Sequence, residues 1–153
     1  MKKSILSLVV IVTLSFGTAL DDAQIAFDKK DFDTAIKITE PLANQGDIKA
    51  QLMLAGLYSV VQSTGLLKDR EKAIYWFEKV VDRFKNTEHY KMILYNIGII
   101  YNYSEDKNYN KALEYFEKAC KNNNKEGCSS YQRLKEENIE FEKYQKLANQ
   151  GNI

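Results

Sequence analysis

The chain has 153 residues, of which 44% are hydrophobic and 28% charged, and its 22 basic side chains nearly balance 21 acidic ones. This length and composition are those of one globular domain with a buried core. The near-neutral charge, with no basic cluster able to follow a phosphate backbone, argues against nucleic acid as a partner.

The first 19 residues have the pattern of a secretory signal peptide. A basic start at Lys2 and Lys3 precedes a twelve-residue apolar stretch, 5–16, that only Ser and Thr interrupt, and small residues follow at Gly17 and Ala19. We expect cleavage after Ala19, export to the periplasm or the medium, and no membrane span after processing. The alternative is an uncleaved membrane anchor, for which a twelve-residue apolar stretch is short.

The chain that follows is helical in periodicity throughout, without an alternating segment that would predict a strand. Residues 21–29 form a short opening helix, and Asp31 can cap the next one. Pro41 lies inside that second helix, where a missing backbone donor predicts a kink or a restart. Gly46 then ends the helix and Asp47 is placed to cap the third.

The third and fourth helices form the first clear hairpin. We expect a loop at 59–68 between them, with Asp69 as the cap of the fourth helix and Thr87 as the cap of the fifth. A shorter loop at 103–108 precedes the sixth helix, and residues 127–135 and 139–149 are predicted to form a last, more polar pair. The inward faces are apolar: Ala50, Leu54, Ala55, Tyr58; Ala73, Trp76, Phe77, Val80, Phe84; Ile93, Ile97, Gly98, Tyr101; Ala112, Tyr115, Phe116, Ala119.

One segment of the chain recurs. Residues 72–81 align with 111–120 at an offset of 39 residues, and five of the ten positions are identical. Such a period predicts a solenoid, in which each unit buries its apolar face against its neighbours. The predicted fold is therefore all-α, a right-handed α/α solenoid of about four helix pairs at residues 20–46, 47–85, 87–122 and 125–150. Residues 147–151 repeat 42–46, where another unit would begin.

The two cysteines, Cys120 and Cys128, are predicted to form a disulfide, because an even cysteine count in an exported chain usually means a bridge. A metal site and a catalytic thiol are the alternatives. A metal would need further ligands, and the sequence offers a single histidine, His89. We expect no metal and no cofactor.

These residues resemble a known repeat. The succession Ala50, Leu54, Tyr58, Gly65, Asp69, Lys72, Ala73, Trp76 resembles the Sel-one-like repeat, a bacterial relative of the tetratricopeptide repeat, and residues 41–47 are similar to the hinge common in such proteins. Cys120 and Cys128, with their neighbours, are similar to the disulfide of the Helicobacter cysteine-rich protein family. Two departures are Ala55 in place of a glycine and a single cysteine pair where that family usually has several.

The resemblance raises an enzymatic hypothesis, because some cysteine-rich members bind penicillin or hydrolyse β-lactams weakly. Ser104 and Lys107 fit the S-x-x-K pattern. The match falls in a loop without the partner motifs of such enzymes, and a serine triad would have to use His89, which we expect at the surface. The enzymatic hypothesis is therefore less favoured than a binding function. If the chain is an enzyme, we expect a weak β-lactamase.

The binding hypothesis uses the face formed by the first helix of each pair, which a solenoid exposes on its concave side. Alignment of the units places six residues there: Met53, Asn96 and Ser130, with Gly56, Ile99 and Arg133 one turn further on. Thioether and amide groups suit an extended peptide, although these positions also fit ordinary solvent-facing residues. We expect a monomeric scaffold that binds another protein or an extended peptide; an immunity or inhibitor protein for a secreted toxin is a further alternative.

Overall fold

The computed structural model describes residues 19–62, 68–103 and 108–150, and every regular element in these ranges is helical. The all-α prediction is confirmed for this part of the chain. The helices are α1 (19–28), α2 (Phe32–Asn44), α3 (Ile48–Gln62), α4 (Lys68–Val80), α5 (Glu88–Tyr103), α6 (Tyr109–Lys121) and α7 (Lys125–Asn149), with a 3-10 turn at Val81–Phe84.

The chain divides into two compact units after Val80. In the N-terminal unit α2 packs on α3, and α3 on α4. In the C-terminal unit α5 packs on the 3-10 turn and on α6, and α6 packs on α7. Within each unit, these helices contact the next one along the chain, which is the arrangement that the sequence repeat predicts.

The predicted start signals of α2 and α3 are confirmed. The Asp31 carboxylate accepts a hydrogen bond from the Thr34 N–H at 3.2 Å, and Asp47 accepts one from the Ala50 N–H at 2.8 Å. Gly46 has a φ of 94°, the left-handed conformation that ends a helix at least cost with glycine. These local contacts fix where α2 begins and where the chain turns from α2 into α3.

The Asp31 cap predicts a pH dependence of stability. Hydrogen bonds from Thr34 hold the pKa of this carboxyl below its ordinary value, and Lys37 lowers it further. The contribution of a lowered pKa is present above the unfolded-state pKa and is lost as the pH falls through the folded-state pKa. Between neutral pH and about pH 2, the chain should therefore lose more thermal stability than an Asp31→Asn variant, whose cap does not titrate. Parallel melting curves would contradict this.

Pro41 does not break α2, which continues as one helix to Asn44. The prediction of a restart is therefore wrong. Pro41 is exposed and lies in the last turn, so the helix loses only one interior hydrogen bond there, and the Pro41 carbonyl still accepts one from the Gln45 N–H at 3.2 Å.

The first predicted loop begins later than the sequence indicates. α3 continues through Ser59 to Gln62, and the Ser59 hydroxyl donates to the Ala55 carbonyl oxygen within the helix at 3.0 Å. α4 already begins at Lys68, so Asp69 lies within its first turn and not at the capping position. At the start of α5, the Thr87 hydroxyl donates backward to the Phe84 carbonyl at 2.6 Å.

The predicted last hairpin is a single helix. α7 runs unbroken for 25 residues from Lys125 to Asn149. The three residues where the turn was expected are Glu136, Glu137 and Asn138, and neither glycine nor proline is among them. Glutamate is a good helix former and one asparagine costs well under about 1 kcal/mol, so nothing local stops the helix.

The recurring segment places a lysine over an aromatic ring in both units. Lys79 Nζ lies 4.7 Å from the centre of the Trp76 ring, and Lys118 Nζ lies 5.1 Å from that of Tyr115. An exposed cation–π contact of this kind contributes about 0.5–1 kcal/mol. The identical lysines of the repeat therefore stabilise the outer faces of α4 and α6.

Each unit has its own apolar core. In the N-terminal unit the buried side chains come from all four helices, α1 to α4, among them Ala35, Leu42, Ala43, Leu54, Leu57, Phe77 and Val80. Two polar side chains buried with them have partners: the Thr39 hydroxyl donates to the Ala35 carbonyl at 2.7 Å, and Gln51 Nε2 donates to the Ala43 carbonyl at 2.9 Å. In the C-terminal unit Phe116 is fully buried with Ala112 and Leu134.

Two helical glycines give opposite predictions for substitution by alanine. A Cβ on Gly98 would lie 2.6 Å from the buried Phe116 ring, whereas a Cβ on Gly56 would meet nothing within 4 Å. Gly56→Ala should therefore stabilise by about 0.5–1 kcal/mol through helix propensity. Gly98→Ala should destabilise by about 1–2 kcal/mol, because the cost of overpacking exceeds that gain. Urea unfolding of both variants checks the pair, and equal shifts would contradict the close approach.

Candidate functional site

Four residues of α5 form a row on one side of the helix, which we call the α5 stripe. Met92, Asn96, Ile99 and Tyr103 follow one another at intervals of four, three and four residues, so they lie on one face. Met92 is 52% exposed and Tyr103 is 63% exposed, while Asn96 and Ile99 are half-buried. The stripe presents a thioether, an amide, an aliphatic group and a phenol to solvent.

The α5 stripe contacts the packed core of the C-terminal unit. Ile99 packs against the cluster of Ala112, Phe116 and Leu134. Side chains whose rotamers are held by a core lose less entropy on binding than free surface groups do. The Asn96 amide carries both donors and an acceptor, so it can pair with the two polar groups of a peptide unit. The stripe can therefore combine apolar contact with backbone recognition.

The corresponding row on α3, in the N-terminal unit, contains the other two predicted residues of this type. Met53 and Gly56 lie at the positions of Asn96 and Ile99, and both are half-buried. Lys49 and Val60 extend the row by one turn at each end. This row is less apolar than the α5 stripe, because Lys49 is exposed where α5 has Met92.

The third predicted position differs from the expectation. Ser130 on α7 is only 8% exposed, so its hydroxyl is part of the packing of the C-terminal unit. Arg133 is exposed, and its Nε lies 3.9 Å from the Glu137 carboxylate one turn further on. The exposed part of the row on α7 is therefore charged, and it does not offer the amide and aliphatic groups that Asn96 and Ile99 provide on α5.

Sequence reasoning missed Met92 and Tyr103, the two most exposed members of the α5 stripe. Tyr103 was assigned to a loop, whereas it is the last residue of α5. Met92 lies among the polar residues of the first turns of α5, where a single apolar side chain does not by itself indicate a binding face. The signal that could have found both is the spacing of 92, 96, 99 and 103, which is the spacing of one helical face.

The structure brings Cys120 and Cys128 together as a disulfide, with their Cα atoms 4.4 Å apart. The bridge connects the last turn of α6 to the first turn of α7. Asn124 caps α7 by accepting a hydrogen bond from the Gly127 N–H, and a Cβ on Gly127 would lie 2.8 Å from Ala119 Cβ. The bridge therefore spans a junction whose two helices are already in close contact.

The residues considered for chemistry are not assembled into a site in the described ranges. Ser104 and Lys107, the S-x-x-K candidates, lie outside the described residues. His89 is exposed, as expected, and its ring centre lies 5.5 Å from that of Phe84. Within residues 19–62, 68–103 and 108–150 no three His, Cys, Asp or Glu side chains cluster as metal ligands would.

None of the described helices combines the length and the apolar content that crossing a bilayer requires. The 25-residue α7 is long enough, but charged residues occur throughout it.

Comparison with known families matches two segments of the chain. Residues 48–80 and 94–124 each match the family model of the Sel1 repeat. The first match covers α3 and α4, and the second runs from the middle of α5 through α6 to the cap of α7. No curated protein matches the chain.

Proposed function

We propose that this chain, a Sel1-like repeat protein, is an exported scaffold that binds another protein or an extended peptide through the first helix of its repeats. Sel1 repeats are commonly protein-interaction modules, and the two matched repeats are the observation on which the proposal rests. Similarity to the Helicobacter cysteine-rich proteins remains a resemblance of sequence.

The α5 stripe supports the binding part of the proposal. Met92 and Tyr103 expose large apolar groups at its two ends, and Asn96 offers an amide between them. Aromatic and methionine side chains are enriched where proteins meet, and a polar group among apolar ones fixes register. A peptide laid along this helix would bury the exposed methionine and tyrosine and gain hydrogen bonds at the centre.

The sequence before α1 supports the export part. Residues 1–19 carry the signal-peptide pattern, although residues 1–18 lie outside the described part of the chain. The bridge between Cys120 and Cys128 is compatible with an oxidising compartment. Sequencing the N-terminus of protein recovered from the periplasm or medium checks this part, and an intact Met1 on the exported protein would contradict it.

Partner capture tests the binding part. Oxidised, tagged protein is incubated with an envelope extract, and recovered partners are quantified for the wild type and for a Met92→Ala/Asn96→Ala variant. We expect recovery to fall at least about tenfold, because two contacts of about 1 kcal/mol or more each are removed. Tyr75→Ala is the matched control, since Tyr75 is 55% exposed on α4, outside the proposed face. Equal recovery by the two variants would contradict the proposal.

A further inference from the structure

Among the described residues of the C-terminal unit, the second half of α7 is the longest stretch of helix without a buried side chain. Leu134 is the last buried residue of α7 among those described, and we call residues 136–149 the α7 tail. The tail nevertheless carries large apolar groups: Ile139, Phe141 and Tyr144 are 57%, 59% and 55% exposed. Exposed apolar groups grouped in this way usually mark a binding surface.

Helical geometry places most of these groups on one side of the tail. At 100° per residue, Phe141, Tyr144, Leu147 and Ala148 fall within an arc of about 120°. This arc continues the face of Leu134, which packs on α6, while Ile139 lies on the opposite side. The exposed arc is thus an extension of an interface that the C-terminal unit already forms.

The arc also has the residue pattern of the second helix of a repeat. Residues at the same spacing are buried in three other helices: Ala35, Thr39 and Leu42 in α2, Ala73, Phe77 and Val80 in α4, and Ala112, Phe116 and Ala119 in α6. In the α7 tail the matching residues are Glu140, Tyr144 and Leu147. Two of these three are apolar, and neither is covered as its counterparts are.

The copy in α2 shows which kind of element covers such a face. Residues 42–46 are identical to 147–151, and both helices end with a glutamine whose N–H donates to a carbonyl about one turn earlier: Gln45 to Pro41, and Gln150 to Lys146 and Leu147. In α2 this end is buried against α3, and the Gln51 side-chain amide of α3 donates a hydrogen bond to the Ala43 carbonyl oxygen. In α7 Leu147 is half-buried and Ala148 is exposed.

We infer that the α7 tail is a docking surface for an amphipathic helix of another protein, one whose apolar face resembles that of α3. Small residues such as Ala50 would meet Ala148, and a larger apolar residue such as Leu54 would meet Tyr144 and Leu147. A second copy cannot offer its own α3 to this surface, because Ala50 and Leu54 are fully buried within the N-terminal unit. This surface is distinct from the α5 stripe, so either proposal can fail alone.

The probe is a fluorescent peptide of residues 47–62, which contains α3, titrated into the oxidised full chain and followed by anisotropy. We expect saturable binding, at least tenfold weaker for a Tyr144→Asp/Leu147→Asp variant. Ile139→Asp is the matched control, because it places the same charge on the opposite side of the same helix, and it should bind as the wild type does. A peptide with Leu54→Asp should not bind.

Three results would overturn the inference. The first is no binding up to about 1 mM peptide, an affinity near the weakest that matters for recognition. The second is equal weakening by Ile139→Asp and by the Tyr144/Leu147 variant, each shown by circular dichroism to keep its helix content. The third is a dimer in light scattering that the Tyr144/Leu147 variant abolishes, since the occupant would then be a second copy.

Discussion

Replacing Phe116 by alanine is expected to lower the free energy of unfolding of the C-terminal unit by about 3–5 kcal/mol. The ring has no exposed surface, packs with Ala112 and Leu134, and lies 5.7 Å from the Tyr95 ring. The close approach of α5 at Gly98 depends on this ring as well. Truncation therefore removes both the apolar burial and the surface on which three helices converge, and the cavity left behind adds to the cost.

Urea unfolding followed by circular dichroism measures this loss. The control is Phe141→Ala, the same substitution at a residue of α7 that is 59% exposed, and its effect should stay within about 0.5 kcal/mol. A Phe116→Leu variant should retain most of the stability, because it keeps most of the buried volume. Comparable losses for Phe116→Ala and Phe141→Ala would mean that the core of this unit lies elsewhere.

The fold could be predicted largely from local signals. Asp31, Gly46 and Asp47 act through backbone contacts within four residues of themselves, and such contacts are readable in a sequence. The recurrence of residues 72–81 at 111–120 predicts how the helices pair, because similar segments bury similar helix faces. Neither the capping contacts nor the repeat depends on how the rest of the chain packs.

The predicted and observed helix boundaries differ where the end of a helix depends on weak residue preferences. Helix α3 passes the predicted loop start at Ser59 because that hydroxyl bonds within the helix, and α7 passes residues 136–138 because none of them interrupts a helix. A helical hairpin requires two apolar faces that can pack on each other, and it also requires residues between them that form a turn. In α7 the faces are present in the sequence and the turn is absent.

The candidate site was predicted only in part. Repeat alignment found Asn96 and Ile99, which the structure places together with Met92 and Tyr103 on one face of α5. The same alignment placed Ser130 on an exposed face, yet it is buried. Alignment gives the position of a residue within its helix, whereas its exposure depends on the neighbouring helices, which differ for the last helix of a series.

Removal of the disulfide between Cys120 and Cys128 is expected to cost the C-terminal unit about 2–3 kcal/mol. The bridge joins cysteines that are eight positions apart, and the chain-entropy model assigns about that amount to so short a loop. The junction is also closely packed, since Gly127 lies against Ala119, so free thiols would have to fit into the same space. The loss should concentrate where α6 meets α7 and should reach the α7 tail.

Urea unfolding of the wild type with and without dithiothreitol, beside a Cys120→Ala/Cys128→Ala variant, measures this cost. The reductant should lower the midpoint of the wild type and leave that of the variant unchanged, which separates loss of the bridge from side effects of the reagent. Hydrogen exchange should then show faster exchange at residues 119–130 than in α5, because the bridge closes only the α6–α7 connection. A wild-type midpoint that reductant does not move would show that packing at Gly127 and the Asn124 cap alone hold these helices together.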